Sequence, residues 1–163
     1  MESAMLTPRE RLKALKCAVI IPTYNNVGTI ATVIADVKKY ASDIIVVNDG
    51  CTDNTAEVLS AIEGIKVIDY AKNRGKGYAL KHAFEYCLLN FDESYVFVTA
   101  DCDGQHLVKD VEKCAKSAFE HSGKLILGAR NFALEHVPQR SRSGNVFTRR
   151  MFKLLYGLSL SDT

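Results

Sequence analysis

Ile44-Ile45-Val46-Val47-Asn48-Asp49-Gly50 is the stretch on which the fold turns. Four successive β-branched residues with no polar interruption suit a strand covered on both faces, as in a parallel sheet with helices above and below it. A polar turn follows at once, Asn48-Asp49-Gly50-Cys51-Thr52-Asp53, and places Asp53 as a helix N-cap before Thr55–Ile62. The same strand–turn–helix unit repeats on both sides. Upstream, Cys17–Ile21 is a short apolar run stopped by Pro22, and Ile30, Val33, Ile34 and Val37 mark one helical face within Val27–Tyr40. Downstream, Lys66–Asp69 predicts a strand, Gly77–Leu89 a helix, Tyr95–Thr99 a strand, Leu107–His121 a helix and Lys124–Leu127 a fifth strand. An amphipathic tail runs from Gly144 to Tyr156. Alternation at this pitch predicts an α/β fold, a mostly parallel sheet with helices on both faces.

The chain has 163 residues, enough for one domain with a real core. Its net charge is +2, from 21 Lys and Arg against 19 Asp and Glu, which argues against a nucleic-acid binder with its large basic excess. Charged residues at 25% and hydrophobic ones at 47% are those of a globular protein rather than a disordered one. No apolar run approaches the roughly 20 residues of a membrane span, and Met1–Lys16 lacks the apolar core of a signal peptide. That segment reads as a helical extension, residues 1–16, ahead of the main domain, 17–163. Its Arg9, Arg11, Lys13 and Lys16 suit a solvated helix or a peripheral membrane contact. The five cysteines are odd in number and contain no C-x-x-C pair, as expected of reduced thiols in a cytoplasmic protein.

Ligands of open α/β sheets bind beyond the carboxyl ends of the strands. Four polar clusters stand at such ends: Thr23-Tyr24-Asn25, Asn48-Asp49-Gly50, Asn73-Arg74-Gly75-Lys76 and Asp101-Cys102-Asp103. In the last, carboxylates two residues apart on extended chain face the same way, about 6–7 Å apart. Both can reach one hard cation, or one can bind it while the other takes a substrate hydroxyl; a solvated acidic turn is the plainer alternative. Asp49, acceptor-only, suits the N–H and O–H donors of a base or ribose, or else simple turn chemistry. Asn73-Arg74-Gly75-Lys76-Gly77 is neither a Rossmann fingerprint nor a Walker loop, but its glycines permit close approach at a helix start, where Arg74 and Lys76 can meet a phosphate. After the fifth strand, Arg130, Arg140, Arg142, Arg149, Arg150 and Lys153 face the single acid Glu135: a solvated helix face or a cluster for an anionic ligand.

Taken in order, Ile21-Pro22-Thr23-Tyr24-Asn25, Val47–Asp53, Asn73–Gly77, Asp101-Cys102-Asp103-Gly104-Gln105-His106 and Gly128-Ala129-Arg130 resemble a family 2 glycosyltransferase of the GT-A fold. The nearest pattern is that of the dolichyl-phosphate mannose and polyprenyl-phosphate glucose synthases. The resemblance runs from about Cys17 to Thr163 and implies a Rossmann-like GT-A sandwich. It implies that Pro22, Tyr24 and Asn25 line a nucleotide pocket, with Asp49 on the base or ribose and Lys76 near the nucleotide. It further implies that Asp101 and Asp103 hold Mg²⁺ or Mn²⁺ on the donor diphosphate, with Asp103 counted among the catalytic groups. Gln105 then approaches the sugar, Arg130 and Arg140 the phosphates, and Asp162 the acceptor as a candidate base. Two positions depart from the family: Asn26 stands where an acid is frequent, and Cys51 where Ser is usual.

The family pattern continues beyond Ser161-Asp162-Thr163, so the resemblance implies a domain cut short on its acceptor side. The implied reaction is inverting transfer of a sugar from a UDP- or GDP-linked donor to a polyprenyl phosphate or a cell-envelope glycan, at the cytoplasmic face of a membrane. Donor binding without turnover is the alternative for a chain lacking the acceptor half. A haloacid-dehalogenase-type phosphatase shares a strand followed by D-x-D-G, but Gln105 follows here where Thr or Val is expected.

Overall fold

Four of the five predicted strands form, and they make one all-parallel sheet. They are β1 (Cys17–Thr23), β2 (Asp43–Asp49), β3 (Lys66–Tyr70) and β4 (Val96–Thr99), in the order β3-β2-β1-β4. The structure is a computed structural model and describes residues 6–103, 107–128, 139–157 and 159, with side-chain surroundings for all but 139–145. The chain divides into two compact units, Met1–Lys124 and Leu125–Thr163.

In the first unit the β-branched run Ile44–Val47 lies in β2 and is buried throughout, as a strand with neighbours on both sides and cover on both faces must be. The register sets Ile20 opposite Ile45 and Thr23 opposite Asn48. Side chains then alternate between faces. Cys17, Val19, Ile21, Ile44 and Val46 join one core with Leu12, Ile30, Val33, Ile34, Val37, Leu59, Val111 and Ala115. These helical residues come from α1 (Pro8–Ala14), α2 (Ile30–Lys38), α3 (Thr55–Ser60) and α5 (Val108–Glu120). The other face sends Ala18, Ile20, Ile45 and Val47 against Ala79, Ala83 and Cys87 of α4 (Lys76–Asn90). Small residues at four-residue spacing let this helix lie close on the sheet.

Local chemistry accounts for the helix ends. Thr7 and Glu10 form a reciprocal capping box at the start of α1. Leu12 of α1 is fully buried, and Arg11 pairs with Glu112 of α5 at 2.9 Å, so this short helix is fastened to the domain. Burying such a leucine stabilises the fold by about 2–3 kcal/mol.

Two expectations are corrected. Residues 124–128 carry no strand, and Leu125 and Leu127 are exposed. An apolar run becomes a strand only where an edge offers it a ladder, and no described residue pairs with it. The N-cap position of α3 is Asn54 rather than Asp53. Asp53 still acts on the first turn, because its carboxylate accepts from the Thr55 amide at 3.0 Å and the Val27 amide at 3.3 Å. Hydrogen bonds, the Thr55 hydroxyl foremost, hold that carboxyl below the usual range.

The second unit contains α6 (Gln139–Tyr156), an 18-residue helix with Phe147, Leu154 and Leu155 exposed. Among the described residues no helix is long and apolar enough to cross a membrane.

Candidate active site at the carboxyl edge of the sheet

The polar clusters at the ends of β1, β2 and β4, with the loop after β3, meet around one cavity of about 350 Å³. It is lined by Pro22, Thr23, Tyr24, Asn26, Asp49, Asn73, Gly75, Lys76, Ala79, Asp101, Cys102 and Asp103. Of the residues expected from the sequence, Pro22, Tyr24, Asp49, Lys76, Asp101 and Asp103 are therefore brought together. Asn25 is not in the lining. Its backbone takes a left-handed φ of 51°, which Asn tolerates better than most residues. Its side-chain oxygen accepts the Thr52 amide at 2.8 Å, and its own amide meets Cys51 Sγ at 3.1 Å. Asn25 thus joins the loops after β1 and β2. Asn26 takes the place at the wall, its Nδ2 donating to Tyr24 O at 3.1 Å and Thr23 Oγ1 at 3.3 Å. The bond that shapes the turn after β2 is local as well: the Cys51 amide donates to Asn48 Oδ1 at 3.1 Å.

Asp49 is buried, and its two oxygens accept the backbone amides of Arg74 and Gly75, each at 2.8 Å. The carboxylate is thus the brace of the glycine loop, and any base or ribose must use its remaining lone pairs. Gly50 makes this approach possible. At φ +63°, a Cβ there would stand 2.4 Å from Asn73 N and Lys72 C. Behind Asp49, its register partner Tyr70 sits on the same face of the sheet. The Tyr70 hydroxyl is buried with no hydrogen-bond partner among the described residues, and burial, reinforced by the Asp49 charge, pushes its pKa up to about 12. Arg74 turns away from the lining, donating to Tyr78 Oη at 2.9 Å and lying over that ring.

At the other end the chain does not run extended as expected: beyond β4 it turns at Cys102-Asp103, and Asp101, Cys102 and Asp103 all line the cavity. Cys102 is 7% exposed, its Sγ 3.5 Å from Thr23 Oγ1, between a half-buried Asp101 and an exposed Asp103. Burial pushes the Cys102 thiol pKa up. Lys76 Nζ meets Asp101 Oδ1 at 2.5 Å, with the two side chains 59% and 45% exposed. Among the described residues no three acids, histidines or cysteines are grouped as a metal cage. Two carboxylates in one cavity still fit Mg²⁺ or Mn²⁺, since Mg²⁺ usually takes one or two protein carboxylates and completes its shell with water and phosphate oxygens. Gln105, His106, Arg130 and Asp162 lie outside the described residues, as does the side chain of Arg140 in α6.

Asn73 and Cys102 were not expected as individual site residues, and Asn26 stood out only as the position where the family frequently has an acid. Asn73 and Cys102 stood within the polar clusters, and the signal for each was its place at a strand end.

Residues 18–161 match the sequence model of "Glycosyl transferase family 2". The chain belongs to that family. An uncharacterized protein of Methanocaldococcus jannaschii is 32% identical over 89% of this chain and 60% of its own length. A dolichyl-phosphate beta-glucosyltransferase of Saccharomyces cerevisiae is 35% identical over 59% of this chain and 32% of its own. A UDP-N-acetylglucosamine–dolichyl-phosphate N-acetylglucosaminyltransferase of Methanococcus voltae is 28% identical over 88% and 64%. The chain therefore spans between about a third and two thirds of the length of these relatives.

Proposed function

We propose that the chain carries the donor site of an inverting glycosyltransferase that moves a sugar from a nucleoside-diphosphate sugar to a lipid phosphate. The observation that carries this reading is the one cavity that gathers Asp49, Gly75, Lys76, Asp101 and Asp103. The names of the two dolichyl-phosphate transferases support a lipid-phosphate acceptor. A lipid-phosphate acceptor calls for work at a membrane surface, and our reading takes this to be the cytoplasmic face.

Each residue then has a task. Pro22, Tyr24 and Asn26 bound the nucleoside end, beside Asp49. Lys76, at the start of α4, offers a cation to the diphosphate. Asp101 and Asp103 hold Mg²⁺ or Mn²⁺, which supplies positive charge for the departing diphosphate. A phosphate acceptor is already an anion, so Asp103 and Asp162 need not remove a proton from it; a hydroxyl acceptor would require a base. Gln105 on the sugar, with Arg130 and Arg140 on the phosphates, completes the proposed set.

Calorimetric titration with UDP and GDP, each with and without Mn²⁺, tests the reading. One nucleotide should bind at least about tenfold more tightly with Mn²⁺, and Asp101→Ala should remove that gain. Affinity independent of Mn²⁺ in both proteins would overturn it.

A further inference from the structure

Lys76 is the first residue of α4, a position where the helix dipole favours anions and disfavours an ammonium group. Local helix energetics therefore do not account for a lysine here. Its partner lies 25 residues away, in the turn after β4: Nζ meets Asp101 Oδ1 at 2.5 Å. Both groups line the cavity, and with the side chains 59% and 45% exposed the ion pair is one that water and salt readily loosen. The same carboxylate is one of the two that fit a divalent cation.

We propose that Lys76 is an exchangeable counter-ion of the Asp101–Asp103 pair. In the ligand-free site its ammonium group neutralises Asp101; when a divalent cation claims Asp101, Lys76 swings from the carboxylate to an oxygen of the diphosphate. The proposal rests on the donor-site reading above and adds a sequence of partners for one side chain. The stem of Lys76 is anchored at the Gly75-Lys76 helix start, whose loop Asp49 braces through the Gly75 amide at 2.8 Å. The head can therefore move while the backbone keeps its place. The exchange makes metal and diphosphate binding mutually supportive. Metal alone must displace a cation, and diphosphate alone must draw Lys76 from a carboxylate.

Lys76→Met separates this role from a merely structural one, because it moves two affinities in opposite directions. Mn²⁺ alone, followed by the electron paramagnetic resonance of the free ion, should bind about three- to tenfold more tightly to Lys76→Met than to the wild type. UDP or GDP in saturating Mn²⁺, followed by calorimetry, should bind about tenfold more weakly. Lys76→Arg should restore nucleotide affinity. Weaker or unchanged Mn²⁺ binding in Lys76→Met overturns the exchange. Thermal unfolding checks that the variant folds, and Lys76→Gln gives the same two readouts should it not. If the wild type binds neither Mn²⁺ nor a nucleotide, the donor-site reading falls and the exchange with it. If the wild type binds both and Lys76→Met shifts neither, the exchange alone falls.

Discussion

The two ends of the cavity are built on opposite plans. At the Asp49 end the carboxylate is buried and held by two backbone amides, and Gly50 lies against the backbone of Lys72 and Asn73. At the Asp101 end the carboxylates are exposed, and the cation beside Asp101 sits on a long flexible stem. A charge fixed by backbone donors defines shape, because moving it means leaving buried N–H groups unpaired. A charge met by a solvated lysine can change partners at little cost. The first end resembles a mould, the second a socket.

Gly50→Ala should break this contrast most severely. The new Cβ would overlap backbone atoms 2.4 Å away at a left-handed φ, and no flexible side chain is there to yield. A loss of about 2–4 kcal/mol is expected in urea unfolding; a loss below about 0.5 kcal/mol would show that the two loops are not in contact. Asp49→Asn comes next. It removes the charge and turns one accepting atom into a donor that faces an amide, so a loss of about 1.5–3 kcal/mol is expected. The matching change at the socket, Asp101→Ala, should leave the unfolding midpoint almost unmoved while acting on nucleotide and metal binding. Equal stability losses at Asp49 and Asp101 would erase the distinction.

The smallest effect concerns Tyr70, at the mould end. In the folded protein burial pushes the pKa of its phenol up to about 12, whereas in the unfolded chain it ionises near 10. The folded state binds the proton more tightly, so stability is full below pH 10 and falls as the pH rises from there towards 12. Tyr70→Phe should flatten part of this alkaline loss, read from unfolding midpoints at pH 9 to 11. At neutral pH it should cost no more than about 1 kcal/mol, the net worth of one hydrogen bond.

The socket was more legible in the sequence than the mould. Asp101-Cys102-Asp103 follows directly on a strand, and that place at the edge where such sheets bind ligands is local information, although the extended alternation expected there gives way to a turn. The β2 run Ile44–Val47 announced its burial for an equally local reason. The partners of Asp49 are another matter: the amides of Arg74 and Gly75 belong to residues 25 and 26 positions further on, and backbone groups leave no mark in a sequence. Asn25 and Asn26 cannot be told apart by composition: the side chain of Asn25 serves Thr52 while Asn26 lines the cavity, and a left-handed φ at Asn25 separates the two. Lys124–Leu127 has strand-like composition but no ladder partner among the described residues, and composition alone cannot supply one.

Ala79, Ala83 and Cys87, the small residues under α4, have a reach beyond the core they fill. Only Ala79 touches the cavity; the others lie one and two turns further along the helix. Because they set how low the helix rides on the sheet, they also set the height at which its first residues stand over a ligand. Selection for a bulkier or slimmer donor can therefore act through a methyl group that never meets it. A comparison of binding pockets confined to residues in contact would overlook the positions that adjust their depth.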